Sequence, residues 1–246
     1  MNPVMNPVAI VTGGTRGIGR AIVEALLARD FDVFFTYQHS TELAQQIEAQ
    51  HGARVRGFQV DGGDWQAVRA FAENVTATRA VEVLVNNAGV NEDQLFVSSE
   101  LERYWQAVHF NLGAVMAFCH AFAQPMMQRR RGQIINLSSL AAVKAKVGNG
   151  AYGVSKAAIE RFTQTLALEM ARFNVRVNAV APGFVRSDLL TRYLAGRDST
   201  AFYRSLPLRQ VLEPEDVARV VALFACGELS ATGSVLALGN GENING

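Results

Sequence analysis

The sequence predicts an α/β chain with a doubly wound, seven-stranded, mostly parallel sheet flanked by helices. Three observations lead there. Short β-branched or apolar runs alternate with longer helical patterns, the rhythm of strands joined by crossover helices. Several runs are apolar nearly end to end, as expected of strands covered on both faces. A glycine-rich turn, TGGTRGIG, joins the first run to the first helical pattern.

The strands expected in order are VAIVT (8–12), DVFFTY (32–37), RVRGFQV (54–60), EVLVNN (82–87), GQIINLS (132–138), RVNAVA (176–181) and SVLAL (234–238). Helical patterns fall between them, over 17–29, 41–51, 64–78, 99–128, 152–173 and 213–226. The last opens on EPED, with proline and acids in its first turn, a favourable helix start. No linker, repeat array or charge block interrupts the alternation, so residues 1–246 read as a single dinucleotide-binding and catalytic domain. The longest break in the rhythm, 183–212, follows the sixth strand. It is expected to be a substrate loop at the carboxyl edge of the sheet.

Composition narrows the classes. An apolar content of 49% over 246 residues supports a large core, and a formal charge of +1 argues against nucleic acid as the main partner. Cys119 and Cys226 fall in helical patterns without metal-ligand spacing and are expected to be buried, reduced thiols, with no metal site. The start, MNPVMNPV, has no basic segment and does not read as a signal or lipidation sequence. No apolar run reaches the ~18 residues of a membrane helix, and a soluble, cytoplasmic protein without membrane contact is expected.

Within the glycine turn, Gly13, Gly17 and Gly19 permit a tight bend and close approach of a pyrophosphate to the helix start. Thr15, Arg16 and Ile18 share that turn. The second strand ends in Tyr37-Gln38-His39-Ser40, without the acid that would repel a 2′-phosphate, and Arg16 offers a guanidinium for one. NADP(H) is therefore the cofactor expected. Asp61 and Gly62, after the third strand, are placed to meet the adenine edge, although an Asp-Gly-Gly turn would look the same. NNAG, ending in Asn87, Ala88 and Gly89, offers small residues and amides at the tip of the fourth strand.

Three further positions carry candidate chemistry. Asn111 is a poor interior helix residue, readable as a kink holding a water or as a surface polar position. Ser138 and Ser139 close the fifth strand, where a hydroxyl can orient a carbonyl. Tyr152 and Lys156 stand at i and i+4, on one helix face. An ammonium beside a phenol of ordinary pKa ~10 favours the phenolate, and the phenol can serve as general acid to a carbonyl receiving hydride. Alone, the pair is equally a solvated helix face.

Taken in order, TGGTRGIG, NNAG, Asn111, Ser139, YGVSK and APGFVRSD resemble the classical short-chain dehydrogenase/reductase family over essentially the whole chain. Within it the pattern is most like the 3-oxoacyl-[acyl-carrier-protein] reductases, and the resemblance implies a Rossmann fold. It also implies a tetrad: Tyr152 as proton donor, Ser139 bonding the carbonyl oxygen, Lys156 holding the nicotinamide ribose, and Asn111 holding a relay water. Pro182, Gly183, Val185 and Ser187 would meet the nicotinamide end. Relatives commonly read PLGRxGEPED before the last helix and end in a Gly-Gly tail; this chain has PLRQVLEPED and GNGENING. The resemblance further implies a homotetramer, and an acyl thioester substrate borne on an acidic carrier protein docked by Arg129, Arg130 and Arg172. An ordinary solvated loop explains those arginines equally well.

The reading is thus NADPH-dependent reduction of a 3-oxoacyl thioester to the 3-hydroxyacyl product in fatty acid or related acyl-chain synthesis. A reductase of another ketone, sugar or polyketide carbonyl is the nearest rival. A non-catalytic NADP(H)-binding sensor or scaffold is the rival of another class.

Overall fold

The computed structural model describes residues 6–91 and 93–242. Most of the repeated start and the last four residues of the tail, 243–246, lie outside the described residues. Seven strands form one sheet: β1 (Val8–Thr12), β2 (Asp32–Tyr37), β3 (Val55–Gln59), β4 (Val81–Asn86), β5 (Gly132–Leu137), β6 (Val175–Pro182) and β7 (Val235–Leu238). Their order is β3-β2-β1-β4-β5-β6-β7, and every pairing is parallel rather than mostly so.

Alternation along the strands divides the core into two layers. Ala9, Val11, Phe35 and Ile135 face α1 (Gly17–Leu27), α2 (Thr41–His51) and α8 (Pro214–Ala225), packing with Ile22, Ile47 and Val221. Val8, Ile10, Leu84 and Ile134 face the other way, onto α3 (Trp65–Thr76), α4 (Leu101–Arg129) and α5 (Gly150–Ala171), with Phe118, Phe122 and Ile159. The apolar run 113–123 accordingly packs much of its bulk against the sheet, through Ala114, Val115, Phe118, Cys119 and Phe122.

Local chemistry fixes the helix ends. The Asp64 carboxylate accepts the Gln66 and Ala67 N–H groups at the start of α3. Glu213 and Asp216 form a reciprocal capping box around Pro214, which explains why EPED opens α8.

Two expectations are corrected. The segment 183–212 is not irregular: it folds into α6 (Asp188–Leu194) and α7 (Ser199–Ser205), with a small core of Leu190, Leu206 and Val211 packed by Phe184, Tyr193 and Phe202. Leu212, one of the positions where the sequence departs from PLGRxGEPED, is buried beside Val211 and bridges to Val185. Second, only Cys119 is buried; Cys226 is exposed because it caps the end of α8 instead of lying within it. Burial pushes the Cys119 thiol up to about 12.

Candidate active site

Strand order reverses between β1 and β4, and the chain leaves both strands at the carboxyl edge, so a crevice opens there. The Thr12 hydroxyl accepts the backbone N–H groups of Asn87 and Ala88, each at 2.9 Å. The Asn87 amide donates to the carbonyls of Thr12 and Gly13 at 2.9 and 3.2 Å. These bonds tie NNAG to the glycine turn.

Gly13 and Gly17 have φ of +67° and +52°, and a Cβ at Gly19 would fall 2.0 Å from the Gly13 carbonyl oxygen. Arg16 is the N-cap of α1 but gives no side-chain cap, so the first N–H groups of the helix have no side-chain acceptor of that kind. Its exposed guanidinium lies 3.8 Å from Asp188 on α6. These features fit a dinucleotide diphosphate. Thr15 is buried in the turn, and Ile18 lines the adjoining cleft. Asp61 and Gly62 follow β3 at the same edge, with Asp61 Oδ1 accepting the Gly63 N–H at 2.9 Å.

The cleft has a volume of about 440 Å³ and is lined by Ser139, Tyr152, Lys156, Pro182, Gly183, Val185 and Ser187, among others. The two serines diverge. Ser138 turns under α5 and donates to Glu160 at 2.7 Å, whereas Ser139 hydrogen-bonds the Tyr152 side chain. Ser139 Oγ also lies 3.4 Å from the Pro182 carbonyl oxygen. The hydroxyl of Ser187 accepts the Leu190 N–H at 3.3 Å, so it caps α6 while facing the cleft.

Lys156 is buried; its Nζ donates to the Leu137 carbonyl at 2.7 Å and lies 5.4 Å from the centre of the Tyr152 ring. Burial lowers its pKa to about 8. Burial also raises that of Tyr152, against the lowering effect of the Ser139 hydrogen bond, with a smaller rise from the Asp93 charge. The expected downward pull of the lysine on the phenol is therefore not what governs this site. Desolvation dominates and keeps the phenol protonated.

Asn111 lies within an unbroken α4. Its Oδ1 accepts the Val90 N–H at 2.8 Å, and its Nδ2 donates to the Val90 carbonyl at 2.9 Å and to Ser155 Oγ at 3.1 Å. The side chain is thus neither a surface position nor the mark of a break in the helix: it clips the loop after β4 to α4 and α5. A Cβ at Gly89 would lie 3.2 Å from Asn111 Oδ1 and 3.6 Å from Lys156 Nζ, so both groups border the same small space.

The arginines do not border this cleft. Because α4 runs back along the sheet, it ends at the amino edge, where Arg129 donates to the carbonyl of Val81, the first residue of β4. Arg130 donates to the Arg172 carbonyl at 2.9 Å beside it. The strands' length separates all three from the chain's own cleft, which corrects the expectation that they flank its entrance.

Sequence reasoning missed several lining residues: Asp93, Lys146, Asn149, Tyr193 and Glu242. Asn149 donates to Asp93 at 2.6 Å, and Lys146 Nζ lies 3.6 Å from Asp93 and 3.6 Å from the centre of the Tyr193 ring. Two lysines in an otherwise apolar loop, and the departure from a Gly-Gly tail, were the available signals.

A glycine turn at the sheet's switch point, opening onto a half-buried tyrosine and a buried lysine, is the arrangement of an oxidoreductase that works with a nicotinamide cofactor. The chain belongs to the short-chain dehydrogenase/reductase family, whose description "short chain dehydrogenase" matches residues 7–198. It is 35% identical over 240 residues to 3-oxoacyl-[acyl-carrier-protein] reductase FabG of Aquifex aeolicus, covering 95% of this chain and 96% of that one. It is 34% identical over 241 residues to carbonyl reductase family member 4 of Danio rerio, covering 98% and 99%. A solved short chain dehydrogenase/reductase family protein superposes with a TM-score of 0.85 at 33% identity, covering 94% of this chain and 95% of that one. Among the described residues no helix is long and apolar enough to cross a membrane, and no cluster of His, Cys, Asp or Glu could hold a metal.

Proposed function

We propose that the protein reduces a 3-oxoacyl thioester, borne on a carrier protein, to its 3-hydroxyacyl product with NADPH. The observation that carries this reading is Tyr152, hydrogen-bonded to Ser139 and flanked by Lys156, in a cleft beside the glycine turn. A bound nicotinamide cofactor supplies the hydride. Tyr152 gives its phenolic proton to the carbonyl oxygen, and Ser139 donates a hydrogen bond to that oxygen as negative charge develops. Lys156, with N–H groups beyond the one given to Leu137, binds the cofactor ribose and stands ready to reprotonate Tyr152. Asn111, near Lys156 beside Gly89, would hold the water that continues this proton path.

Arg16 and the absence of an acid at the end of β2 support NADPH over NADH. Similarity to 3-oxoacyl-[acyl-carrier-protein] reductases supports the substrate class; acyl-chain synthesis in the cytoplasm is the setting proposed. A homotetramer is the assembly proposed, supported by exposed Met116 on α4 and exposed Val154 and Leu168 on α5. Arg129, Arg130 and Arg172 can serve carrier docking only toward the cleft of a neighbouring subunit.

The test is a spectrophotometric assay of NADPH and NADH oxidation against acetoacetyl thioester and a panel of free ketones, sugars and polyketide carbonyls. Rapid NADPH oxidation with the thioester, and slow turnover of the panel, is expected. Preference for a free ketone would assign the other reductase reading, and tight NADPH binding without turnover would assign a sensor.

A further inference from the structure

The loop after β4 brings into the cleft a carboxylate that none of these steps uses. Gln94 donates its N–H to the Gly148 carbonyl at 2.8 Å, joining that loop to the turn before α5. Asn149 completes the junction: its amide donates to Asp93 Oδ1 at 2.6 Å and to Asn91 Oδ1 at 3.1 Å. Asn149 is buried, and its own carbonyl accepts the Gly153 N–H at 2.9 Å, within the first turn of α5. Tyr152 lies in that same turn, so one piece of backbone fixes both the Asp93 carboxylate and the phenol. Both line the cleft.

Tyr152 meets charge from several sides. Lys156 lies one turn on along α5, Lys144 and Lys146 on the loop before it, and Glu242 on the tail beyond β7; Tyr193 of α6 is a further titratable neighbour. Lys146 Nζ lies 3.6 Å from Asp93 Oδ2, too far for a hydrogen bond, and offsets only part of the carboxylate's field. The Asp93 side chain is 34% exposed, so water and salt screen its charge incompletely. A fixed negative charge disfavours a second one nearby, and a tyrosinate is that second charge. Burial raises the Tyr152 pKa, the Ser139 hydrogen bond opposes the rise, and the Asp93 charge adds to it.

We propose that Asp93 is a positioning residue whose fixed negative charge keeps Tyr152 in the protonated form that a carbonyl acceptor needs. The same charge disfavours the phenolate left after proton transfer, which favours its reprotonation by Lys156. Asp93 thereby poises the site for reduction up to alkaline pH. The inference rests on the reading of Tyr152 as general acid to a carbonyl.

Asp93→Asn removes the charge while keeping an oxygen that accepts from Asn149, and Asp93→Ala removes both. Tyr152 is titrated in wild type and in each variant from the ultraviolet absorbance of tyrosinate, after subtraction of the matching Tyr152→Phe protein. The pH profile of kcat/KM for acetoacetyl-N-acetylcysteamine, at saturating NADPH, is recorded alongside, and thermal melting sets the pH range over which each protein stays folded. In Asp93→Asn the titration midpoint and the alkaline limb of the profile both move down by about half to one pH unit. Asp93→Ala moves them in the same direction. An unmoved or upward midpoint in Asp93→Asn overturns the proposal. So does a shift seen only in Asp93→Ala, which would make Asp93 a structural anchor for Asn149. A midpoint that falls without the limb following overturns it too, since the charge then acts on a phenol that does not govern the chemistry. If wild type reduces no carbonyl, the general-acid reading fails and takes this inference with it. If wild type turns over and only the midpoint is unmoved, that reading stands and Asp93 alone is misassigned.

Discussion

Lys156 is held in a state that function requires and stability opposes. Its folded pKa of about 8 lies below the ordinary 10.5, so between those values the unfolded chain binds more protons and stability rises with pH. Below that window the charged lysine costs about 3 kcal/mol, less what its bond to Leu137 returns. In Lys156→Met, the Tm of the cofactor-free protein near pH 7 should rise by a few degrees, and the gain should shrink as pH approaches 10.5. Turnover should be lost at the same time. Equal melting curves for the two proteins across that range would refute the burial cost. Tyr152→Phe separates chemistry from binding: kcat should fall by at least about a hundredfold while NADPH affinity stays near wild type. The i, i+4 spacing made this pair legible in sequence. The choice between Ser138 and Ser139 was not, because adjacent residues at a strand end diverge only once α5 is packed beneath one of them.

Among elements, the substrate segment was the least legible. Each of its helices, α6 and α7, is seven residues long, too short for an apolar period to declare itself against scattered aromatics. The long strands and helices were readable because burial imposes a period on them; their ends shifted by a residue or two where capping, not pattern, decides the boundary. Tyr193 ties α6 to the loop before α5. The Tyr193 ring is approached by Lys146 at 3.6 Å and Arg197 at 4.4 Å, and Lys146 is anchored through Asp93 to Asn149. A cation on an aromatic face of this kind contributes about 1 kcal/mol. Lys146→Ala should therefore loosen α6 at the cleft and raise KM for the thioester by roughly fivefold, more than it changes kcat, with Lys146→Arg retaining most of the affinity. A fall in kcat with KM unmoved would show that Lys146 acts on the chemistry instead.

At the scale of the whole molecule, the parallel sheet was legible from its apolar runs, but where the arginines proposed for docking sit was not, since only the path of α4 back along the sheet places them at the amino edge. That placement links docking to assembly. A carrier protein bound at Arg130 and Arg172 faces the end of the subunit remote from its cleft, so its acyl arm can react only where a neighbour's cleft adjoins. The outer faces of α4 and α5 carry exposed Trp105, Met116, Val154 and Leu168, the last 82% accessible, an apolar surface suited to such a neighbour. Leu168→Glu should therefore yield a smaller species by size-exclusion chromatography with light scattering. It should also lose activity on carrier-bound substrate by about tenfold more than on a small thioester. Arg130→Glu should reproduce that selective loss without changing the assembly. If Leu168→Glu dissociates the protein yet leaves carrier-bound substrate as good as the small thioester, the carrier docks beside the chain's own cleft and these arginines have no part in it.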